Sequence, residues 1–469
     1  MAVSLFLSTI LSACAQTQAV LDPYALAPCL PNALYDQETG GSSLISSSYF
    51  HTYLPKNYDQ EELSLAELID IALYNNPNTK ISWAEARQKA AVYAQSSSAY
   101  FPKIDANAIY QRERETFSLS ESFTIPYLLT TAGPEINLSY TLLDFGKRKA
   151  SSESALQGLI FADLSHNRTL QQSIKVVMDD YYNYLFEKER LVASEADLMN
   201  AQETLKAAQD KGALGIVARG DIAQAKTAFI QAKIAVIRQK RAASMSFSQL
   251  AKNLGLPASI CFQVEPLPEK VTTSEVIDDV EDLVERAQNW RPDLQAALVD
   301  LAQKRADLSG AEANYAPTVS ANFDLGKYWY DHRQDEDYHW TFLFKLDFPL
   351  FEGFLRRNIV REKKAAVEKS AAQLLGKELS VIGEVQDAYT DFLSAKESLH
   401  FSEEYLLEAD IQFAIALESY RTGTNTILDL LSAQSAVADA KAKLAEAKKN
   451  WYQALALVAY STGVLGMPT

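Results

Sequence analysis

Cysteine and histidine are scarce in this sequence, and their scarcity excludes several kinds of site. The 469 residues include three cysteines, Cys14, Cys29 and Cys261, and five histidines. No two cysteines have CxxC spacing, and no HExxH motif is present. Neither a zinc site nor a disulfide framework is therefore predicted. We expect no metal ion and no cofactor.

Long apolar runs are also missing. No stretch of 18 apolar residues without a charge occurs in the chain, so no transmembrane helix is predicted, and any membrane span must consist of β-strands. The formal charge is −16, and Lys and Arg are scattered rather than gathered on one face. Such a charge distribution argues against nucleic acid as a partner.

Catalytic motifs are absent as well. Asp144-Phe145-Gly146 spells a kinase triplet, but no HRD sequence and no glycine-rich loop accompany it. Most carboxylates lie among lysines and arginines, as in Glu187-Lys188-Glu189-Arg190, a pattern typical of solvated helix faces. We therefore do not expect an enzyme.

The first residues resemble a bacterial lipoprotein signal. Leu11-Ser12-Ala13-Cys14 is similar to a lipobox, which predicts a signal segment at 1–14 and lipidation of Cys14. However, no Lys or Arg precedes Lys56, so a buried free cysteine in a flexible tail is the alternative. Residues 15–62, with several prolines and a Gly/Ser cluster, are expected to form an irregular arm.

An internal duplication organises the rest of the chain. Offsets of 207 to 215 residues superpose prolines and glycines of the two halves, which indicates a shared architecture. The superposed pairs are Pro77 and Pro292, Pro102 and Pro317, Gly146 and Gly353, Gly215 and Gly423, and Gly255 and Gly463. We assign a first repeat to 63–256, a linker to 257–274 and a second repeat to 275–466.

Each repeat is predicted to contain a long antiparallel helical hairpin, at about 147–254 and about 354–463. In the second hairpin, apolar residues recur at heptad spacing from Val367 to Tyr420 without a proline, which predicts a left-handed coiled-coil seam. Both hairpins turn at glycines, and the returning helices begin near Asp221 and Asp429.

Four strands are predicted, at about 104–115, 134–144, 318–330 and 338–349. In the clearest, Tyr338, Trp340 and Phe342 alternate with His339 and Thr341, as in a membrane barrel wall. A soluble sandwich would show the same local pattern. Because four strands cannot close a barrel and lipid tolerates no open sheet edge, strands that span a membrane require several protomers to share one barrel.

The ordered, duplicated motifs resemble the outer-membrane factor (TolC) family over roughly residues 62–466. They are Leu143-Asp144-Phe145-Gly146-Lys147-Arg148 with Leu350-Phe351-Glu352-Gly353, Tyr100-Phe101-Pro102 with Tyr315-Ala316-Pro317, and the hairpin turns with their following aspartates. The resemblance implies a mainly α fold with a β membrane part. It implies a homotrimer, in which an α-helical coiled-coil barrel continues a transmembrane β-barrel shared between protomers.

The same resemblance implies a location in the outer membrane, in contact with its lipid and extending into the periplasm. The function it implies is a passive exit duct of a tripartite efflux pump or type I secretion system, joined through a periplasmic adaptor protein to an inner-membrane pump. Two alternative functions are a periplasmic coiled-coil adaptor or scaffold without a pore, and a coiled-coil hydrolase. Adaptors carry one hairpin and no paired aromatic strands, and no nucleophile and base can be named.

By position, the resemblance also assigns site residues at the hairpin turns. The implied adaptor-docking residues are Leu214, Gly215, Ile216, Thr422, Gly423 and Thr424. Asp429 and Asp221 are implied to line the periplasmic pore mouth. Ser432 stands where some relatives carry a second acid, so this sequence departs from the family pattern at the position of a second acidic ring. Helix capping is the alternative role for Asp429.

Overall fold

A computed structural model describes most of the two repeats. The described residues are 22–28, 30–32, 53–54, 62–120, 123–214, 218–266, 279–330, 337–422 and 424–466. Several predictions lie outside these ranges: the signal segment with Cys14, most of the arm at 15–62, the linker residues 267–274, and Gly215, Ile216 and Gly423.

The described ranges are mostly helical. The helices are α1 (Leu65–Asn75), α2 (Pro77–Ser97), α3 (Lys147–Ala213), α4 (Arg219–Asn253), α5 (Val280–Trp290), α6 (Pro292–Ala313), α7 (Leu355–Thr422) and α8 (Ile427–Ser461). The strands are β1 (Glu62–Leu63), β2 (Lys103–Ser120), β3 (Phe123–Leu143), β4 (Gln263–Val264), β5 (Thr318–Tyr330) and β6 (Asp337–Asp347). The four longer strands and the long helices repeat in the same order in each half.

Helices α7 and α8 pack along the heptad seam. Val381, Val385 and Ala388 are at most 1% exposed, and Phe392 lies with its ring 5.1 Å from that of Trp451 on α8. Toward the start of α7 the seam is shallower, and Ala371 is exposed. The heptad pattern therefore describes the middle and distal parts of this helix better than its beginning.

The hairpins form one layer in the order α4, α3, α8, α7. Extensive contacts join α3 to α4, α7 to α8, and α3 to α8, while α4 and α8 barely touch. Nearer the sheet, α2 and α6 flank α3, and α6 also packs on α7. Within the described ranges, α4 and α7 are thus the outer helices of the hairpin layer.

Strands β2, β3, β5 and β6 form an antiparallel sheet in that order. Strand β3 begins at Phe123 rather than near 134, because its outer part pairs with β2 up to Ser120 and Phe123. Gly133 lies inside this strand, where glycine is uncommon. A Cβ at Gly133 would come within 2.0 Å of the Lys327 carbonyl oxygen, so glycine here permits the close approach of β5.

The end of each returning helix is fixed by an equivalent contact. In the first repeat, Asn76 Nδ2 donates to the Asn253 carbonyl oxygen at 3.1 Å. In the second repeat, Arg291 Nη1 donates to the Ser461 carbonyl oxygen at 3.3 Å. Two residues after the end of each helix lies a glycine of positive φ, Gly255 at 75° and Gly463 at 81°. The duplication therefore extends to the packing of the helix ends.

Candidate functional site: the hairpin tips and the strand wall

The tip of the second hairpin is ordered by a capping box. Thr426 Oγ1 and its backbone N–H donate to Asp429 Oδ2 at 2.7 and 3.0 Å, and the Asp429 N–H donates back to Thr426 Oγ1 at 3.3 Å. These hydrogen bonds from Thr426 lower the pKa of the Asp429 carboxyl. The carboxylate is exposed and ionised, and the positive N-terminal end of the α8 dipole stabilises it.

The tip of the first hairpin repeats this arrangement in a weaker form. The Ala218 N–H donates to Asp221 Oδ2 at 3.3 Å, but Ala218 has no hydroxyl to complete the exchange. Both aspartates therefore occupy the third position of a returning helix and act as caps. A further role of Asp429 and Asp221 at a pore mouth stays a prediction.

The predicted docking residues differ in their surroundings. The hydroxyls of Thr422 and Thr424 donate to the Ser419 carbonyl oxygen at 3.1 and 3.0 Å, and so close the end of α7. Leu214, at the end of α3, is 75% exposed. Among the described docking residues, Leu214 alone offers an uncovered large apolar side chain.

One contact between the two hairpins was not predicted from the sequence. Lys211 Nζ lies 2.8 Å from the Tyr420 carbonyl oxygen and 4.0 Å from the centre of the Tyr420 ring. Beneath it lies an apolar cluster of buried residues from both hairpins, namely Ala208, Ala225, Ala416, Tyr420, Ile427, Leu430 and Ala433. The sequence does show a lysine in the last turn of α3, where basic side chains often cap carbonyl groups. It does not show that the carbonyl group belongs to Tyr420 on the other hairpin.

The sheet has two chemically distinct faces. One face carries the predicted apolar alternation, and Tyr338, Trp340 and Leu346 on it are each at least 65% exposed. The other face is polar: Asn107 Nδ2 donates to Asn137 Oδ1 at 2.8 Å, and Asn137 Nδ2 donates to Asp324 Oδ1 at 2.7 Å. This chain of hydrogen bonds crosses three strands.

The described ranges contain no helix that is both long and apolar enough to cross a bilayer. Nor do three or more His, Cys, Asp or Glu side chains in these ranges gather in a way that could hold a metal ion.

Comparisons with known proteins agree with this architecture. The family model described as "Outer membrane efflux protein" matches residues 68–256 and 283–464. The chain is 27% identical over 422 residues to "Protein CyaE" of Bordetella pertussis, covering 87% of this chain and 86% of the relative. It is 22% identical over 408 residues to the "Probable efflux pump outer membrane protein TtgC" of Pseudomonas putida, covering 84% and 82%.

A solved structure shows the same fold. The outer membrane protein VceC of Vibrio cholerae superposes with a TM-score of 0.75 at 19% identity, over 85% of this chain and 96% of VceC. Because the family model spans both repeats, the chain belongs to the outer membrane efflux protein family and is an outer-membrane channel protein.

Proposed function

We propose that this chain is one protomer of a homotrimer that provides the passive exit duct of a tripartite efflux pump or a type I secretion system. The duct spans the outer membrane and extends into the periplasm. Its hairpin tips dock a periplasmic adaptor, which connects it to an inner-membrane pump. The observation that carries the proposal is that, among the described residues, the sheet and the helical layer each end in elements without an outer neighbour. On one side these are β2 and α4, both from the first repeat, and on the other β6 and α7, both from the second.

The helical layer supports a closed ring of copies. Its outer helices expose apolar side chains: Ile230, Ile234 and Ile237 on α4 are 44 to 65% exposed. On α7 the exposed large apolar residues include Leu375, Leu379, Leu393, Phe401, Leu407, Ile411 and Ile415. Since water disfavours such surfaces, α4 of one protomer is expected to pack on α7 of the next.

The sheet supports the same ring. Its edge strands are β2, from the first repeat, and β6, from the second, just as α4 and α7 belong to the first and second repeats. Pairing of β2 with β6 of the next copy would satisfy both edges in lipid, and three copies would supply twelve strands. The same rotation between neighbouring protomers would therefore close both the sheet and the helical layer into rings.

The apolar face of the sheet supports contact with lipid. Exposed aromatic residues continue from β6 into the corner that leads to α7, where Phe351 is 74% exposed and packs edge-on against Phe354 at 5.6 Å between ring centres. Phe145 takes the equivalent corner of the first repeat and is 60% exposed. Exposed aromatic rings near the ends of strands are typical of a membrane interface.

Docking of an adaptor at the tips rests on Leu214 and the two turns. The capping bonds of Thr422, Thr424 and Asp429 fix the end of α7 and the start of α8 on either side of the second turn, which reduces the entropy lost on binding. Leu214 provides the apolar anchor. We further propose that Asp429 and Asp221 ring the periplasmic mouth.

The test is a variant series at the tip. Gly423→Trp is expected to abolish capture of the adaptor and export while the trimer still forms, and Leu214→Glu is expected to weaken both. Lys206→Trp, on an exposed position of α3, is the control for added bulk. Normal adaptor capture and export by Gly423→Trp and Leu214→Glu would overturn docking at these turns, and a monomer in every variant would overturn the duct itself.

A further inference from the structure

The described carboxylates of the sheet are confined to one face, where Lys103 and Lys345 pair with two of them, whereas the other face carries cations without carboxylates. Because residues directly opposite on paired strands share a face, the register places Arg112, Arg114 and Lys327 on the apolar face. The described carboxylates of the long strands all lie on the polar face. They are Asp105, Glu113, Glu135, Asp324 and Asp347.

Such a partition does not follow from solubility alone. A water-facing surface normally mixes both signs, whereas here the apolar face carries cations without a carboxylate in the described part of the strands. Arg112 and Arg114 are both exposed, and neither forms an ion pair with a described side chain. An apolar face with cations only is complementary to a surface that is apolar and anionic, as a phospholipid or glycolipid leaflet is.

The position of the arginines agrees with a lipid headgroup layer. Arg112 lies opposite Thr130, which is 13 residues along β3 from Leu143, the last residue of the strand before the corner that leads to α3. At a rise of about 3.3 Å per residue this is about 43 Å along the strand, or roughly 30–35 Å across a membrane at the usual strand tilt. The apolar band of such barrels is about 25 Å tall, so both arginines fall beyond its far side.

Aromatic side chains flank the cations on the same face. Lys327 Nζ lies 5.9 Å from the ring centre of Trp329 and 5.5 Å from that of Tyr338. Tyr110, the neighbour of Arg112 on this face, is 73% exposed. Amphipathic rings next to basic side chains mark the level where hydrocarbon gives way to headgroups.

We infer that Arg112 and Arg114, assisted by Lys327, bind the phosphate groups of lipid headgroups in the leaflet far from the helices. A guanidinium donates two parallel N–H groups to a phosphate, and two arginines on alternate residues of one strand can bind neighbouring phosphates. The inference rests on the proposed membrane-spanning sheet and adds to it a preference for phosphorylated lipid. This preference would fix the depth and the lipid neighbours of the barrel.

The test compares lipids that differ only in phosphate. The full-length protein is reconstituted into phosphatidylcholine vesicles that contain either bisphosphorylated lipid A or the same lipid after removal of its phosphates. Chelator is present so that divalent cations do not bridge the headgroups. Retained lipid is then counted by native mass spectrometry. Since a basic residue near an anionic leaflet contributes about fivefold in affinity, wild type is expected to favour the phosphorylated lipid by roughly tenfold or more.

Variants on the two faces of the sheet test whether the preference for phosphorylated lipid depends on the arginines of the apolar face. The double variant Arg112→Gln with Arg114→Gln is expected to lose most of that preference, while Lys345→Gln, a cation of the polar face paired with Asp347, keeps it. Excess inorganic phosphate should compete poorly, because it lacks the apolar contact. An equal preference in wild type and double variant, or an equal loss in Lys345→Gln, overturns the inference. The same spectra separate the two claims: inserted trimers without a phosphate preference refute only this inference, and failure to insert as an oligomer refutes the proposed duct.

Discussion

Arg291, which is fully buried, donates to the carbonyl oxygen of Ser461 at the end of the last helix, 3.3 Å away. The same guanidinium forms ion pairs with Asp293 at 2.7 Å and Glu384 at 2.6 Å. A neutral asparagine, Asn76, makes the corresponding contact in the first repeat. One side chain thus joins α6, α7 and the end of α8, and the second repeat depends on a buried charge where the first does not.

Loss of this guanidinium is expected to be costly. Arg291→Met leaves Asp293 and Glu384 without their shared partner and should lower the free energy of unfolding by about 3–5 kcal/mol. Arg305→Met, at an exposed position of the same helix α6, should change it by about 0.5 kcal/mol or less. Denaturant unfolding in detergent measures both, and similar values for the two variants would show that the buried charge is not a structural tie.

A second buried charge should make stability depend on pH. Burial raises the pKa of Asp163 to about 8, and neither carboxylate oxygen has a hydrogen-bond partner within the described residues. Since this carboxyl has a pKa of about 4 when unfolded, the folded chain binds the extra proton, and stability falls as pH rises from about 4 to about 8. Near pH 7 the loss is on the order of 4 kcal/mol.

Asp163→Asn removes this titration while keeping the side-chain shape. We expect its melting temperature to exceed that of wild type near pH 8 and the two to converge near pH 4. Thermal unfolding of both proteins over that pH range measures the difference in melting temperature. Parallel curves, with a constant difference at every pH, would show that Asp163 is not the titrating group.

The contact between the hairpin tips should govern local opening. Lys211→Met removes the hydrogen bond to the Tyr420 carbonyl and the cation above its ring, which together contribute about 1–2 kcal/mol. Amide hydrogen exchange in the last turns of α7 should then become faster by about tenfold, with α1 unchanged. Lys206→Met, at an exposed position one to two turns earlier, is the control; equal exchange in both variants would contradict the role of Lys211.

Two glycines should respond to alanine in opposite directions. Gly255 has a φ of 75°, and a Cβ there would meet the Asn75 backbone at 2.7 Å, so Gly255→Ala should destabilise the first repeat by about 2 kcal/mol or more. Gly376 lies inside α7 with open space around it, so Gly376→Ala should stabilise the helix by about 0.5–1 kcal/mol. Chemical unfolding compares them, and a neutral Gly255→Ala would refute the close approach.

Much of the fold was predictable because the sequence contains an internal duplication, so each signal occurs in two repeats. The paired prolines and glycines placed the hairpins and corners, and alternation placed the sheet. Pairing at a distance was not visible: β3 extends to Phe123 because β2 matches it there, although Pro126 and Pro134 interrupt the pattern. Contacts between repeats, such as Lys211 with Tyr420 or Arg291 with Ser461, also depend on how helices distant in the chain are placed.

At the candidate site, the sequence located the turns but could not separate their roles. The aspartates that family resemblance places at a pore mouth also satisfy the first N–H groups of their own helices, and Thr422 and Thr424 close α7. Only the exposed fraction of Leu214 distinguished an uncovered side chain from capping residues. Burial and hydrogen-bond partners, which a residue pattern does not contain, made that distinction.

The most direct test of the account is the mass and conductance of the purified protein in a lipid bilayer. A homotrimeric duct is expected to behave as a particle of roughly three 52.0 kDa chains that forms a water-filled pore. A water-soluble monomer that needs no detergent and passes no current would contradict it.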